Sequence, residues 1–83
     1  MILIYGKDGC SFCQRAKSLC ESYGFNFEYL TMGEDYTREQ LFETFPGAKT
    51  VPQIVVNGVK IGGYNDLVTY IEETNYTGTG HTL

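Results

Sequence analysis

The chain is 83 residues long, enough for one domain and too few for two, and its 42% hydrophobic content, with seven Tyr and five Phe, fits a folded core. Six basic against ten acidic residues give a net charge of -4, which argues against nucleic acid and anionic membrane as partners. No apolar run approaches the ~20 residues of a membrane span; Lys7 and Asp8 interrupt the first one too early for a signal peptide, and an odd number of cysteines, three, suits a reducing cytoplasm better than a secreted disulfide scaffold.

Ile2-Leu3-Ile4-Tyr5, ended by Gly6, reads as a buried strand, and Lys7-Asp8-Gly9 as the loop that follows it. Cys10 comes next, at the start of a helix in which Ala16, Leu19, Cys20 and Tyr23 form an apolar stripe and which Gly24 stops. Phe25 to Thr31 alternates as a second strand, joined to the first by a right-handed crossover. Thr37-Arg38-Glu39-Gln40 is a capping-box pattern, so a second helix of about ten residues is expected to end before Pro46-Gly47. Gln53–Val56 and Val59–Ile61 are β-branched runs joined by Asn57-Gly58, the dipeptide of a type I′ hairpin turn. Asn65 is a candidate N-cap for a third helix carrying Leu67, Val68, Tyr70 and Ile71. The order β-α-β-α-β-β-α predicts an α/β domain over 1–75, a four-stranded mixed sheet flanked by three helices, with a flexible tail at 76–83.

Cys10 and Cys13 carry the chemistry. A thiol attacks a disulfide only as thiolate, and a free cysteine with a pKa of about 8.5 is mostly protonated at neutral pH. A helix N-terminus favours the anion through unpaired N–H groups and the aligned peptide dipoles, and Lys7 and Ser11 stand close to Cys10 in sequence. Cys10 is therefore the expected exposed nucleophile. Cys13, three residues on, returns to the same helical face and is the expected resolving thiol. A zinc site would need four ligands, and only Cys20, on the apolar stripe, and His81, near the chain end, remain to complete one, so no metal is expected. Cys20 reads as a small buried hydrophobe, while Phe12 and Tyr64 are flagged as surface contacts.

Gly9-Cys10-Ser11-Phe12-Cys13-Gln14-Arg15-Ala16-Lys17, Thr50-Val51-Pro52-Gln53-Ile54 and Ile61-Gly62-Gly63-Tyr64-Asn65-Asp66-Leu67, in that order, closely resemble glutaredoxins from about Ile2 to Glu73. Phe45-Pro46-Gly47-Ala48-Lys49 further resembles glutaredoxins encoded by bacteriophages. The resemblance implies a thioredoxin-like fold, glutathione as reductant, and a cis peptide bond before Pro52. It places glutathione against Lys7, Phe12, Thr50, Val51, Pro52, Gly63, Tyr64, Asn65 and Asp66. In that arrangement Val51 pairs with the cysteinyl backbone as an added strand does, and the start of the third helix with Asp66 receives the γ-glutamyl end. Lys7 is the candidate for the glycyl carboxylate.

The resemblance implies reduction of protein disulfides and glutathione mixed disulfides by a cytoplasmic monomer, with ribonucleotide reductase as a client. Ser11 and Phe12 stand where many dithiol glutaredoxins have proline and tyrosine, which removes a rigid first helical residue and a hydroxyl near the sulfur. Two alternatives accompany this reading. Some relatives without that proline bind a [2Fe-2S] cluster between two subunits through the first cysteine and glutathione sulfur, which visible absorbance of anaerobic protein distinguishes. A redoxin reduced by thioredoxin reductase would share the fold and the cysteine pair.

Overall fold

Strands β1 (Ile2–Gly6), β2 (Phe27–Thr31), β3 (Gln53–Val56) and β4 (Val59–Gly62) and helices α1 (Ser11–Tyr23), α2 (Arg38–Thr44) and α3 (Tyr64–Thr74) follow one another in the expected order. The structure, a computed structural model, describes residues 1–75, so the expected tail at 76–83 lies outside the described residues. The sheet order is β2-β1-β3-β4, with β1 and β2 parallel and the β1/β3 and β3/β4 pairs antiparallel. Among the described residues, no helix is long and apolar enough to cross a membrane.

The period of two along the central strands divides the core between the two faces of the sheet. Ile2 and Ile4 of β1 and Ile54 and Val56 of β3 pack with Ala16 and Cys20 of α1 and Leu67 and Ile71 of α3. Val55 of β3 packs on the other face with Tyr36, Leu41 and Phe45, joined by Leu3 and Tyr5 of β1. Thus α1 and α3 cover one face and α2 the other, and β1 is buried from both sides.

Local signals explain where the elements stop. Gly24, at φ 71°, ends α1 in a Schellman arrangement: its N–H donates to the Glu21 carbonyl and the Phe25 N–H to that of Cys20. Because Phe25 is spent in that cap, β2 begins two residues later than the alternation suggested, at Phe27. Tyr23, expected on the core stripe, is 57% exposed and stacks on the Phe25 ring instead. Helix α2 is shorter than anticipated, seven residues, although the capping box is complete: Thr37 Oγ1 accepts from the Gln40 N–H and Gln40 Oε1 from the Thr37 N–H. Asn57 and Gly58, at φ 49° and 84°, make the expected type I′ turn.

One correction concerns the start of α3. Its N-cap is Gly63, not Asn65, because the Asp66 carboxylate reaches back to accept the Gly63 N–H at 2.9 Å and so fixes the first turn two residues earlier. That geometry depends on Gly62, which sits at φ 112° and whose added Cβ would lie 2.4 Å from Asp66 Oδ2. Gly62→Ala should combine backbone strain with a steric clash and lower stability by roughly 3 kcal/mol, read as a lower urea midpoint at unchanged slope.

Candidate functional site

Cys10 is the N-cap of α1, in extended conformation at φ -99° and ψ 111°, and its sulfur accepts the Cys13 N–H at 3.2 Å. The sulfur thus takes up one of the N–H groups that the helix start leaves without an intrahelical partner. Cys13 is fully buried, whereas Cys10 is partly exposed. The two are joined as a disulfide with 5.2 Å between their Cα atoms, within the usual range for such a bridge. The expected division between an outer and an inner sulfur is therefore present in the geometry. Cys20 faces the core with no solvent exposure, and burial, reinforced by Glu21, pushes its thiol up to about 11.

Two tyrosines hold the segment that leads into Cys10. The Tyr36 hydroxyl donates to the Gly6 carbonyl at 2.6 Å, and the Tyr29 hydroxyl donates to the Lys7 carbonyl at 3.1 Å. Burial raises the Tyr36 phenol to about 12, so it remains a donor throughout the neutral range. These pins were not legible in the sequence, because each depends on a tertiary contact across more than twenty residues.

Opposite Cys10 stands the loop before β3. The Val51-Pro52 bond is cis, as the resemblance implied, and the Val51 carbonyl oxygen lies 3.7 Å from Cys10 Sγ. Among the described residues, no backbone group engages the Val51 N–H or C=O. The Thr50 carbonyl is already taken by Gln53 Nε2 at 2.8 Å. Phe12, Thr50, Val51, Pro52, Gly63, Tyr64, Asn65 and Asp66 together line a cleft of about 320 Å³. The Phe12 and Tyr64 rings form one wall, 6.1 Å apart. At the far end, the first intrahelical bond of α3 runs from the Leu67 N–H to the Gly63 carbonyl, which leaves the N–H groups of Tyr64, Asn65 and Asp66 without helical partners.

Lys7 is not part of that cleft. It lines an adjoining one of about 270 Å³ that shares Thr50 and Val51 and adds Met32, Arg38, Leu41, Phe42 and Lys49. Arg38 and Lys49 were not anticipated: one sits in a capping box and the other beside the Thr50 motif, and nothing local says that the fold brings both alongside Lys7. Of the zinc candidates, Cys20 belongs to the core and His81 lies outside the described residues. Among the described residues, no three His, Cys, Asp or Glu side chains converge to hold a metal ion.

Known proteins share this architecture. A family model described as glutaredoxin matches residues 2–61. Glutaredoxin 1 of Escherichia coli is 36% identical over 78 residues, covering 86% of this chain and 92% of that protein. The hybrid peroxiredoxin hyPrx5 of Haemophilus influenzae is 41% identical over 69 residues, covering 83% of this chain; the chain spans only 28% of that relative's length. Reduced E. coli glutaredoxin superposes with a TM-score of 0.77 at 34% identity, covering 89% of this chain and 95% of the other. The buckwheat glutaredoxin–glutathione complex, at 22% identity and a TM-score of 0.74 over 87% of this chain and 68% of the other, shares the fold. With its paired Cys10 and Cys13 sulfurs on a four-stranded mixed sheet, the chain belongs to the glutaredoxin family of thiol–disulfide oxidoreductases.

Proposed function

We propose that this protein reduces protein disulfides and glutathione mixed disulfides, with glutathione as its electron donor. The observation that carries the reading is the cleft from Phe12 to Asp66, which passes the Val51 backbone, paired with no other backbone group, 3.7 Å from the partly exposed sulfur of Cys10. A tripeptide with a central cysteine fits such a cleft as an added strand on Val51, its sulfur directed at Cys10. Its γ-glutamyl carboxylate meets the free N–H groups of Tyr64, Asn65 and Asp66. Its ammonium meets the Asp66 carboxylate, whose Oδ2 holds Gly63 and whose Oδ1 remains for the ligand. The glycyl carboxylate extends toward Lys7. Phe12 and Tyr64 flank the sulfur, and Thr50 and Pro52 shape the turn that presents Val51.

In the reductive half-reaction the Cys10 thiolate attacks one sulfur of the client disulfide. The client S–S bond breaks, a mixed disulfide forms, and the departing client thiolate takes a proton from solvent. Cys13, having given its proton to solvent, then attacks Cys10 Sγ as thiolate, closing the Cys10–Cys13 disulfide and releasing the second client thiolate, which takes a proton from solvent. One glutathione thiolate reopens it at Cys10, the accessible sulfur, and a second removes the first as glutathione disulfide. Residues 1–75 form the working domain of this reading. Its setting is the cytoplasm, with a monomeric protein and ribonucleotide reductase as one client, expectations that rest on the family resemblance.

Three variants separate the roles in a glutathione-coupled assay. Cys10→Ser should abolish turnover of a small glutathione mixed disulfide. Cys13→Ser should retain most of it while losing protein-disulfide reduction. Asp66→Asn, which keeps an acceptor for the Gly63 N–H but removes the charge, should raise the KM for glutathione about fivefold, the effect of one exposed charge contact. An unchanged KM in that variant would remove Asp66 from the ligand site. In the reduced protein, thiolate absorbance against pH should show one thiol titrating below the ordinary cysteine range, favoured by the Cys13 N–H and the helix dipole. That step should vanish in Cys10→Ser, and Cys20 should ionise only near 11.

A further inference from the structure

Thr50 and Val51 are shared by two adjoining clefts of opposite chemistry. On the α3 side stands the Asp66 carboxylate. On the α2 side, Lys7, Arg38 and Lys49 surround a floor of Met32, Leu41 and Phe42, and no acidic residue lines that cleft. These are three of the six Lys and Arg in a chain whose net charge is -4. They come from three separate segments: the β1–α1 loop, the first residue of α2 and the loop before Pro52. All three are exposed. Among the described residues, none is hydrogen-bonded to a carboxylate; Arg38 instead lies over the Phe42 ring, 5.5 Å from its centre. Phe42 is itself 42% exposed. An acidic protein thus concentrates positive charge and an open aromatic face beside its reacting sulfur.

One glutathione leaves most of that charge unanswered, because its glycyl carboxylate brings a single negative charge to three cations. A protein client lacks even that carboxylate, since its chain continues past the reacting cysteine as a peptide bond. We propose that the Lys7–Arg38–Lys49 groove selects protein clients carrying an acidic side chain one or two residues C-terminal to the reacting cysteine, with an apolar neighbour resting on Phe42. The direction rests on the glutathione reading above, in which the chain runs from cysteine to glycine as it passes from Val51 toward Lys7. A client entering in the same sense presents its C-terminal side to the cations. Its N-terminal side meets Asp66, where an acidic residue is repelled. The signature is consequently a positional asymmetry rather than a general taste for acidic proteins, which long-range attraction to the same cations would also give.

The test compares two peptides of identical composition and net charge, each with one cysteine held in a mixed disulfide with an aryl thiol. One has Glu two residues after the cysteine, the other two residues before it. Reduced full-length protein is mixed with each, and the rate of aryl thiolate release is followed in a single turnover. In that step Cys10 thiolate bonds to the peptide sulfur, the S–S bond breaks, and the aryl thiolate leaves. The native protein should react about fivefold faster with the first peptide at low ionic strength, and the ratio should shrink as salt is added. Arg38→Gln combined with Lys49→Gln should bring the two rates together, while Arg38→Lys combined with Lys49→Arg should preserve the preference. Equal rates in the native protein, or a preference that survives the Gln substitutions, would overturn the proposal. Because the single turnover needs no glutathione, native turnover of a small mixed disulfide with glutathione is measured alongside it, and failure there counts against the electron donor alone.

Discussion

Strand β1 is hydrogen-bonded along both edges and packed on both faces, and the site is suspended from its carboxyl end. Its register with β2 sets Gly6 opposite Thr31, and the Tyr36 and Tyr29 hydroxyls then fix the carbonyls of Gly6 and Lys7. Three residues, Lys7, Asp8 and Gly9, separate that anchored end from Cys10 at the head of α1. Since α1 is itself clamped through Ala16 and Cys20, the loop has both ends tied, and the sulfur inherits the rigidity of the sheet. The partner wall is equally anchored, because the loop bearing Val51 runs directly into β3, the other neighbour of β1. Both sides of the cleft are thereby referred to one strand, which suits chemistry that requires sulfur atoms aligned within bonding reach.

The sequence was most legible where a single residue type has few alternatives. Asn57-Gly58 has little use other than a type I′ turn, and Thr37 with Gln40 has little use other than a capping box; both are present as read. The apolar runs marked β1 and β3 as strands, and of the α1 stripe Ala16 and Cys20 lie in the core with Leu19 against it, while Tyr23 does not. Boundaries were less legible, since they turn on competition for individual N–H groups. Phe25 was lost to the helix cap, and the start of α3 moved to Gly63 once the Asp66 carboxylate claimed its N–H. Local pattern cannot weigh such claims, because it does not say which acceptor is nearest.

The site divides along the same line. Cys10 and Cys13 were readable because their spacing and helix position are local properties. The gathering of Phe12, Thr50 to Pro52 and Gly63 to Asp66 into one cleft was anticipated only through resemblance, since it depends on three loops meeting at the same end of the sheet. Arg38 and Lys49 escaped both routes. They neighbour Lys7 because α2 crosses the face opposite α1, a consequence of tertiary packing that leaves no trace in short-range sequence.

The unequal exposure of the two paired sulfurs gives the molecule a polarity. Cys13 is buried on the inner face of α1 while Cys10 is partly exposed, so the bridge between them has a single outward terminal. On the proposed mechanism an incoming thiol forms its covalent link at that terminal, and the bond that breaks leaves the inner sulfur free. The inner sulfur, confined beside its partner, has only one disulfide within reach to attack. Regiochemistry that small dithiols in water must leave to chance would, on that mechanism, follow from the burial of one sulfur and the exposure of the other.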